Sequence, residues 1–494
     1  MSTRPGVPCV AGIASRDASV RIARNALILV GLRVLMPSLA VALVLMLSHR
    51  LGTTGLGRYT VAFSFLYMFN AIAPLGLGAI ITRDGARERH DLGPLLANAL
   101  SLGTGTSILL TFVMSGLAYA LDYDDETRRS IVVLSLAIVP CTIGMLQDSA
   151  FVALERMEYI AASTIVEYAI KVGAGVWLLM TGYGLEAVLL AAVAGRVLAC
   201  ILSACLLRRV GLNLSWKLEL NRVRSLVRLA PAFLCIGIFA TLYWRIDIFM
   251  LSKMRPIEDV GNYGAAWRIL ELAMVFPQSL CLSLFPQIAS ALSADRKRLE
   301  RIGREAVRCL ISIDLPVAIG IALLARPIMA LLYGPAFEQA TATLCVLILT
   351  LVPYGIVRYH AYVLVGCNRQ NVDLILNIIM SAVNVGLNLL LIPAYGHLGA
   401  AVATLVSICT YGLLQYAYLL RALPHGVARL SMPPALLLAC AVMAGVVWAC
   451  REYNVFAAIA AGAVVYAGCL LFGGFLSQAE RELLGIARLQ RLLR

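Results

Sequence analysis

The chain has 494 residues, of which 61% are hydrophobic and only 14% are charged, and its mean hydropathy is +0.86. Soluble domains carry about a quarter charged residues, so this composition excludes an ordinary soluble protein and indicates a membrane protein. The net charge of +14 is spread over short connections, which weighs against a nucleic-acid partner. The 13 cysteines show no CxxC spacing, so we expect them to be small buried residues rather than disulfides or metal ligands.

Apolar runs of about 20 residues, long enough to cross about 30 Å of hydrocarbon, recur along the chain. They predict an all-α polytopic membrane protein with about 14 transmembrane helices, because a β-barrel would show alternating polarity instead. The expected helices are approximately 26–47, 59–81, 94–120, 130–152, 160–180, 185–206, 229–251, 264–288, 309–332, 340–364, 372–392, 397–420, 433–450 and 454–475.

Basic residues are concentrated in alternate connections. The even-numbered connections include clusters at 83–89, 208–228 and 296–304, whereas the odd-numbered ones are short and poor in basic residues, or acidic as at 122–126. The positive-inside rule therefore places both termini in the cytoplasm. Residues 1–25 are polar and lack a secretory apolar region, so we expect an uncleaved cytoplasmic segment. Residues 477–494 alternate Leu or Ile with Arg, which predicts an amphipathic tail on the inner membrane surface.

Short sequence matches recur slightly more than 200 residues apart. GRYTVA at 57–62 resembles GNYGAA at 261–266, and AIKVG at 169–173 resembles AVNVG at 382–386. Two shorter matches, Val-Pro and Tyr-Gly, occur in the same order: 139–140 with 352–353, and 183–184 with 395–396. They predict a duplicated six-helix unit whose copies enter the membrane from the same side. Chance recurrence of Gly-x-Tyr and Tyr-Gly at helix ends is the alternative.

The duplication predicts two pseudo-symmetric lobes followed by two further helices. We expect an N-lobe at 26–206, a basic cytoplasmic linker at 207–228 and a C-lobe at 229–420. The last two helices, at 433–475, fall outside the duplication. In proteins built from such parallel repeats, the binding site lies between the halves near the bilayer midplane.

Two adjoining segments suggest a family. RIDIFMLSKM at 245–254 is followed by VGNYGAAWRILELAMVFPQSLCLSLFPQIASAL at 260–292. This order resembles the polysaccharide and lipid-linked oligosaccharide flippases of the multidrug/oligosaccharidyl-lipid/polysaccharide (MOP) exporter superfamily. LGTTGLGRY, LLYGPAFEQA and NVGLNLLLIPAYGHLGAAVAT fit the same resemblance, at 51–59, 331–340 and 384–404.

The resemblance implies a V-shaped, two-lobed bundle whose central cavity opens alternately to each side of the membrane. It implies a flippase, not an enzyme, that moves a polyprenyl-diphosphate-linked oligosaccharide to the outer leaflet of a bacterial cytoplasmic membrane. A monomer is expected, with a polymerase or other assembly proteins as partners.

Four arginines inside apolar stretches are candidate cavity residues for the diphosphate: Arg33, Arg196, Arg268 and Arg358. A charge at membrane depth is costly, and arginine bonds phosphate oxygens in a bidentate, charge-assisted way. Arg268 falls on the arginine of the family's Tyr-x-x-Ala-x-Arg stretch, although Glu271 could neutralise it locally. Arg33 could instead snorkel to the cytoplasmic surface, and Arg358 could be interfacial. Arg196 has no acid within one turn.

Four further charges are candidates for ion coupling or for pairing between helices: Asp247, Arg245, Glu167 and Lys171. Asp247 could bind a proton or Na⁺, or pair with an arginine of another helix, while Arg245 could reach the outer surface. Glu167 and Lys171 have the i,i+4 spacing of a local pair. No Walker A motif and no cofactor motif is present, so an ion gradient, the membrane potential or a substrate gradient must supply the energy.

Three other functions compete with the flippase. A cation-coupled multidrug exporter of the same superfamily should offer intramembrane acids, but helix 26–47 carries an arginine and no acid. A membrane-bound polymerase or ligase would need a large outer loop with catalytic side chains, and no connection exceeds about 25 residues. A scaffold protein would not need intramembrane charges to cluster on one side of its helices.

Overall fold

The computed structural model describes residues 11–212, 224, 244–294, 296–422 and 434–472, and their side chains except at 11–35, 37, 292–296 and 472. The predicted tail at 477–494, most of the linker at 207–228 and most of the helix at 229–251 lie outside the described residues, as does the side chain of Arg33. Within the described ranges the regular structure is helical throughout, without a strand.

The helices before the linker are α1 Ala11–Ile72, α2 Leu77–Arg87, α3 Leu92–Ala120, α4 Asp125–Ser135, α5 Ile138–Ala153, α6 Met157–Met180 and α7 Leu185–Arg209. The helices after it are α8 at 244–254, α9 Ile257–Ala273, α10 Val275–Ala294, α11 Arg296–Leu323, α12 Ala325–Tyr333, α13 Ala340–Ile348, α14 Leu351–Gly366, α15 Gln370–Ala422, α16 Pro434–Cys450 and α17 Val455–Phe472.

Two glycines divide the longest helical runs. Gly52 breaks α1 with φ 64°, and Gly396 breaks α15 with φ 57°. A positive φ is accessible to glycine without a Cβ clash, so each residue lets one helix end and another begin without a loop. Counting α1 and α15 as two spans each, and adding α16 and α17, every predicted helix except 229–251 has a described counterpart. The protein is a polytopic all-α membrane protein.

One predicted connection is wrong. The basic segment 296–304 was expected to be a cytoplasmic loop, but α11 begins at Arg296. Leu299 and Ile302 are buried at helical spacing, whereas Arg298 and Arg301 are exposed. This amphipathic pattern extends the helix beyond the membrane-spanning part. The high charge density of the segment had indicated a loop instead.

The chain forms two compact units. The first comprises Met1–Leu47 and Ala62–Leu242, and the second comprises Ser48–Val61 and Tyr243–Arg494. In the first unit, Ile81, Leu96 and Phe151 are fully buried and belong to one apolar core. In the second, Ile311 and Tyr359 belong to another buried core. Segment 48–61, which the sequence assigned to the N-lobe, belongs to the second unit.

Candidate functional site

Asp247 lies in a buried polar cluster of the second unit. Its side chain is only 4% exposed and projects from α8. It accepts hydrogen bonds from Asn388 Nδ2 at 2.6 Å, Thr404 Oγ1 at 2.6 Å and the Tyr263 hydroxyl at 2.9 Å. Asn384 adds a further polar group, because its Oδ1 accepts from Asn388 Nδ2 at 2.9 Å. Three helices, α8, α9 and α15, therefore converge on one carboxylate.

The partners that the structure gives this carboxylate are neutral. Its polar neighbours are Thr404, Asn388, Tyr263 and Asn384, and no ion pair with a described lysine or arginine accompanies them. A buried carboxylate is costly unless it is paired or neutralised. A group in this setting therefore needs a proton or a bound cation as its positive partner.

The two asparagines of the cluster have unused hydrogen-bonding capacity. Asn388 Oδ1 and Asn384 Nδ2 are buried without a partner. Turning the Asn388 amide by half a turn exchanges its nitrogen and oxygen, which would present an oxygen instead of a donor beside Asp247. Carboxylate, amide and hydroxyl oxygens are the ligands that hard cations prefer. With one orientation of the Asn388 amide, the cluster donates hydrogen bonds to Asp247 without a metal ion. With the other orientation, it can bind a cation through oxygen atoms.

Arg196 occupies a different kind of site, in the first unit. Its Nη1 donates to Glu167 Oε2 at 2.6 Å, and the two side chains are 17% and 21% exposed. Its Nη2 donates to the Cys141 carbonyl at 3.3 Å, and Asp148 lies close enough to add to the negative potential. The acid that the sequence could not assign to Arg196 comes from the neighbouring helix α6.

Lys171 and Arg268 also have local partners. The Lys171 ammonium lies 4.6 Å from the ring centroid of Phe63 and 5.6 Å from that of Tyr168, both within cation–π range. Arg268 donates to Glu271 at 2.7 Å, as its i,i+3 spacing indicated. Arg245, on α8, is partly buried.

Arg358 on α14 is the candidate arginine with a described side chain that forms no ion pair with a described carboxylate. Its Nε is buried without a hydrogen-bond partner, and its guanidinium lies 5.6 Å from the ring centroid of Tyr362. Arg358 is thus a partly buried guanidinium in the membrane region that lies beside a tyrosine ring.

Local spacing found some of these contacts and missed others. Tyr263 and Thr404 were not singled out as partners of Asp247, since they lie 16 and 157 residues away. Asn384 and Asn388 have i,i+4 spacing inside an apolar helix, a signal that could have indicated one polar face. Their segment was noted for its family resemblance alone.

The fold of this chain resembles known transporter structures. It matches the lipid II flippase MurJ in an inward closed conformation with a TM-score of 0.70 and 15% identity, over 92% of this chain and 98% of that one. It matches an inward-facing multidrug resistance MATE family transporter of the MOP superfamily with a TM-score of 0.65 and 15% identity, over 80% and 97%. The described helices thus have the fold seen in these transporters of the MOP superfamily.

The family follows from the sequence comparison. Residues 47–342 match the family described as polysaccharide biosynthesis protein, and the chain belongs to this family. Two relatives come from Haloferax volcanii. The probable low-salt glycan biosynthesis flippase Agl15 is 25% identical over 289 residues, 58% of this chain and 60% of its own length. The probable flippase AglR is 25% identical over 430 residues, 84% and 85%.

These findings confirm the resemblance that the sequence indicated. The chain belongs to the polysaccharide biosynthesis family, has the fold of MOP-superfamily transporters, and has two sequence relatives that are named as probable flippases. The match covers about three fifths of Agl15, so the activity and the substrate of this chain are matters of proposal.

Proposed function

We propose that this protein is a flippase that moves a polyprenyl-diphosphate-linked oligosaccharide, the repeat unit of a cell-surface polysaccharide, from the cytoplasmic to the outer leaflet by alternating access. Two features support this substrate: membership in a polysaccharide biosynthesis family and a relative named for glycan biosynthesis. The distribution of basic connections supports a cytoplasmic membrane location with both termini inside.

The guanidinium of Arg358, which forms no ion pair with a described carboxylate, carries the proposal for the head group. A diphosphate brings negative charge, and an arginine without an acidic partner can give it bidentate, charge-assisted hydrogen bonds. A nearby tyrosine hydroxyl, such as that of Tyr362, whose ring centroid lies 5.6 Å from the guanidinium, can bond phosphate or sugar oxygens. Arg196 and Arg268 are weaker candidates, because Glu167 and Glu271 already bind them. Arg33 remains a proposed fourth ligand.

A flipping assay in proteoliposomes tests the proposal with a fluorescent polyprenyl-diphosphate sugar. Arg358→Ala should slow flipping by about ten- to a hundredfold, as expected from losing hydrogen bonds to a charged group worth about 1.5–3 kcal/mol. Arg358→Lys should recover part of the rate, since it keeps the charge and loses the fork. Arg326→Ala is the matched control: its side chain is 77% exposed and pairs with Glu338 at the surface. Equal rates for Arg358→Ala and wild type would remove Arg358 from the site.

We also propose that the Asp247 cluster binds the coupling cation, H⁺ or Na⁺. Tyr263, which donates to Asp247, stacks on Trp267 with ring centroids 6.0 Å apart, and Trp267 contacts Trp244 at 5.9 Å. Cation binding at Asp247 should therefore change the tryptophan fluorescence. A Na⁺ titration that gives a saturable change in wild type and none in Asp247→Asn would support Na⁺. A change driven by pH alone would support H⁺.

A multidrug exporter is the second candidate, and the Asp247 cluster is the observation that favours it, since an intramembrane acid can also attract a cationic drug. The same proteoliposomes separate the two functions. Wild-type protein that exports a cationic dye and neither binds nor flips the diphosphate lipid would establish the exporter and overturn the flippase proposal.

A further inference from the structure

Two helices of the second unit begin at matching positions of the sequence repeat. The second part of α1 starts after the break at Gly52, and α9 starts at Ile257 after Pro256. Thr53 and Ile257, the first residues of the two helices, are 204 residues apart, the offset between GRYTVA and GNYGAA. Segments 53–60 and 257–264 both belong to the second unit, and together we term them the crossing pair.

Two glycines bring the backbones of the crossing pair into direct contact. A Cβ on Gly57 would lie 2.2 Å from the carbonyl oxygen of Ile257, and a Cβ on Gly261 would lie 2.0 Å from that of Thr53. Each glycine therefore faces the first carbonyl of the opposite helix, so that one contact becomes the other when the two copies are exchanged. Such a close approach of two backbones leaves no room for a side chain at either glycine.

Two further contacts join residues with the same offset. The Thr54 hydroxyl donates to Glu258 Oε1 at 2.8 Å on the exposed side of the pair. A Cβ on Gly264 would lie 2.6 Å from Thr60 Oγ1 on the buried side. Thr54 matches Glu258, and Thr60 matches Gly264, in the repeat. The crossing is therefore pseudo-two-fold, like the self-complementary interface of a symmetric dimer.

The composition of the crossing pair suits a contact that opens and closes. Glycine and threonine faces meet without long side chains that interlock, so the two helices can separate without repacking a core. Each helix keeps its own hydrogen bonds when they part. In the proposed orientation, both segments follow spans that run outward, so the crossing pair lies at the outer membrane face.

We propose that the crossing pair closes the outer end of the translocation path and separates in each transport cycle. The proposal rests on the proposed flippase function, and it assigns the closure to glycine positions 204 residues apart. Gly57 and Gly261 then set the stability of the closed state, because any side chain at either position forces the helices apart.

A disulfide across the crossing pair tests the proposal. A Cβ on Gly264 would lie 3.4 Å from Thr60 Cβ, close to the range of about 3.5–4.5 Å found in disulfides. Thr60→Cys with Gly264→Cys is made in a background whose native cysteines are replaced and whose flipping activity is retained. The matched control, Val447→Cys with Gly462→Cys, joins the packed hairpin of α16 and α17, where a Cβ on Gly462 would lie 2.5 Å from Val447 Cγ2.

Oxidation of the Thr60→Cys/Gly264→Cys protein should reduce flipping by more than about tenfold, and reduction should restore it. The single variants and the oxidised α16–α17 control should keep flipping. A completely cross-linked protein that flips at its reduced rate would overturn the closure and leave the flippase function intact. A wild-type protein that flips no diphosphate lipid would instead count against the proposed function.

Labelling from outside tests the closure without any cargo. A single Thr54→Cys protein is treated with a membrane-impermeant maleimide, and the labelling rate is measured. Adding Gly261→Leu should raise this rate by about tenfold, because the side chain favours the open state. Adding Gly116→Leu should not, since a Cβ there meets nothing within 4 Å. Equal rates in the two double variants would show that Gly261 does not control a closure.

Discussion

The two units stabilise an intramembrane acid in opposite ways. In the first unit, Glu167 pairs with the guanidinium of Arg196 at 2.6 Å. In the second, Asp247 accepts hydrogen bonds from the neutral groups of Tyr263, Asn388 and Thr404. A guanidinium that is part of the chain cannot leave, whereas a proton or metal ion can. The first acid is thus permanently compensated, and the second is suited to an exchangeable cation.

The predicted repeat allows the two regions to be compared residue by residue. Leu43 lies 204 residues before Asp247, and Gly175 lies 213 residues before Asn388, the two offsets of the repeat. A Cβ on Gly175 would lie 2.8 Å from Leu43 Cδ1, so the first-copy residues adjoin as their second-copy counterparts do. The predicted repeat thus pairs an apolar contact in the first copy with a polar contact in the second. We therefore expect no ion site at Leu43 and Gly175.

The largest expected effect comes from removing the fixed cation of the first unit. Arg196→Met leaves the partly buried Glu167 without its positive partner, which should destabilise the protein by up to about 3–5 kcal/mol. Thermal unfolding in detergent measures the loss. The double variant Arg196→Met/Glu167→Met should recover most of it, because two apolar side chains of similar size replace the pair. A single variant as stable as wild type would show that Glu167 does not depend on Arg196.

The next effect comes from placing an acid at Leu43, the apolar counterpart of Asp247 in the predicted repeat. Leu43→Asp puts a carboxylate at membrane depth without the donors that surround Asp247, at a cost of about 2.5–3.5 kcal/mol. Adding Gly175→Asn supplies the donor that Asn388 provides in the second unit, and should restore part of the stability. Unfolding temperatures of the single and double variants decide this. If the double variant is the less stable one, the two positions are not equivalent.

A smaller effect is expected when the second unit is made to resemble the first. Asn388→Leu removes the donor to both Asp247 and Asn384, and should cost about 1–3 kcal/mol. If the cluster binds the coupling cation, affinity should also fall by about ten- to a hundredfold. Tryptophan fluorescence in a Na⁺ or pH titration measures that affinity. An unchanged titration would exclude Asn388 as a ligand or as an orienting group.

The smallest effect is expected at Thr404. Thr404→Val keeps the shape and removes one hydroxyl donor to Asp247, so the loss should be about 0.5–1.5 kcal/mol. Thr410→Val is the matched control, because the exposed Thr410 hydroxyl donates to Val406 O of its own helix. That control should stay within about 0.5 kcal/mol of wild type. Equal losses in both variants would mean that the Thr404 effect is one of helix propensity.

The spans were predictable, because apolar runs of membrane length dominate the sequence. The breaks were less so: Gly52 and Gly396 stand in segments expected to be connections, yet each interrupts a continuous helical run. The start of α11 was not predicted, because the charges of Arg298 and Arg301 are typical of a loop. The buried residues beside them form an apolar helix face that charge density alone does not indicate.

The charged sites were predictable as residues and not as contacts. Spacing within one helix identified the Arg268–Glu271 pair. The same reasoning offered Lys171 as a partner for Glu167 and could not reveal Arg196, 29 residues away on another helix. Likewise, Asp247 stood out as an intramembrane acid, but its donors come from helices whose register the sequence does not define. Tertiary packing, rather than local pattern, assembles these sites.

The contact between Gly57 and Gly261 also limits how this sequence can vary. Neither position has room for a methyl group, so a saturation library selected for surface polysaccharide should retain glycine at both. Helical glycines with open surroundings, such as Gly105 and Gly386, should accept many residues. Mutational tolerance would then show two minima 204 residues apart. No smaller residue on the opposite helix could offset a substitution, because the opposing atom is a backbone carbonyl oxygen that every residue carries. Two segments far apart in the sequence thus limit each other's variation.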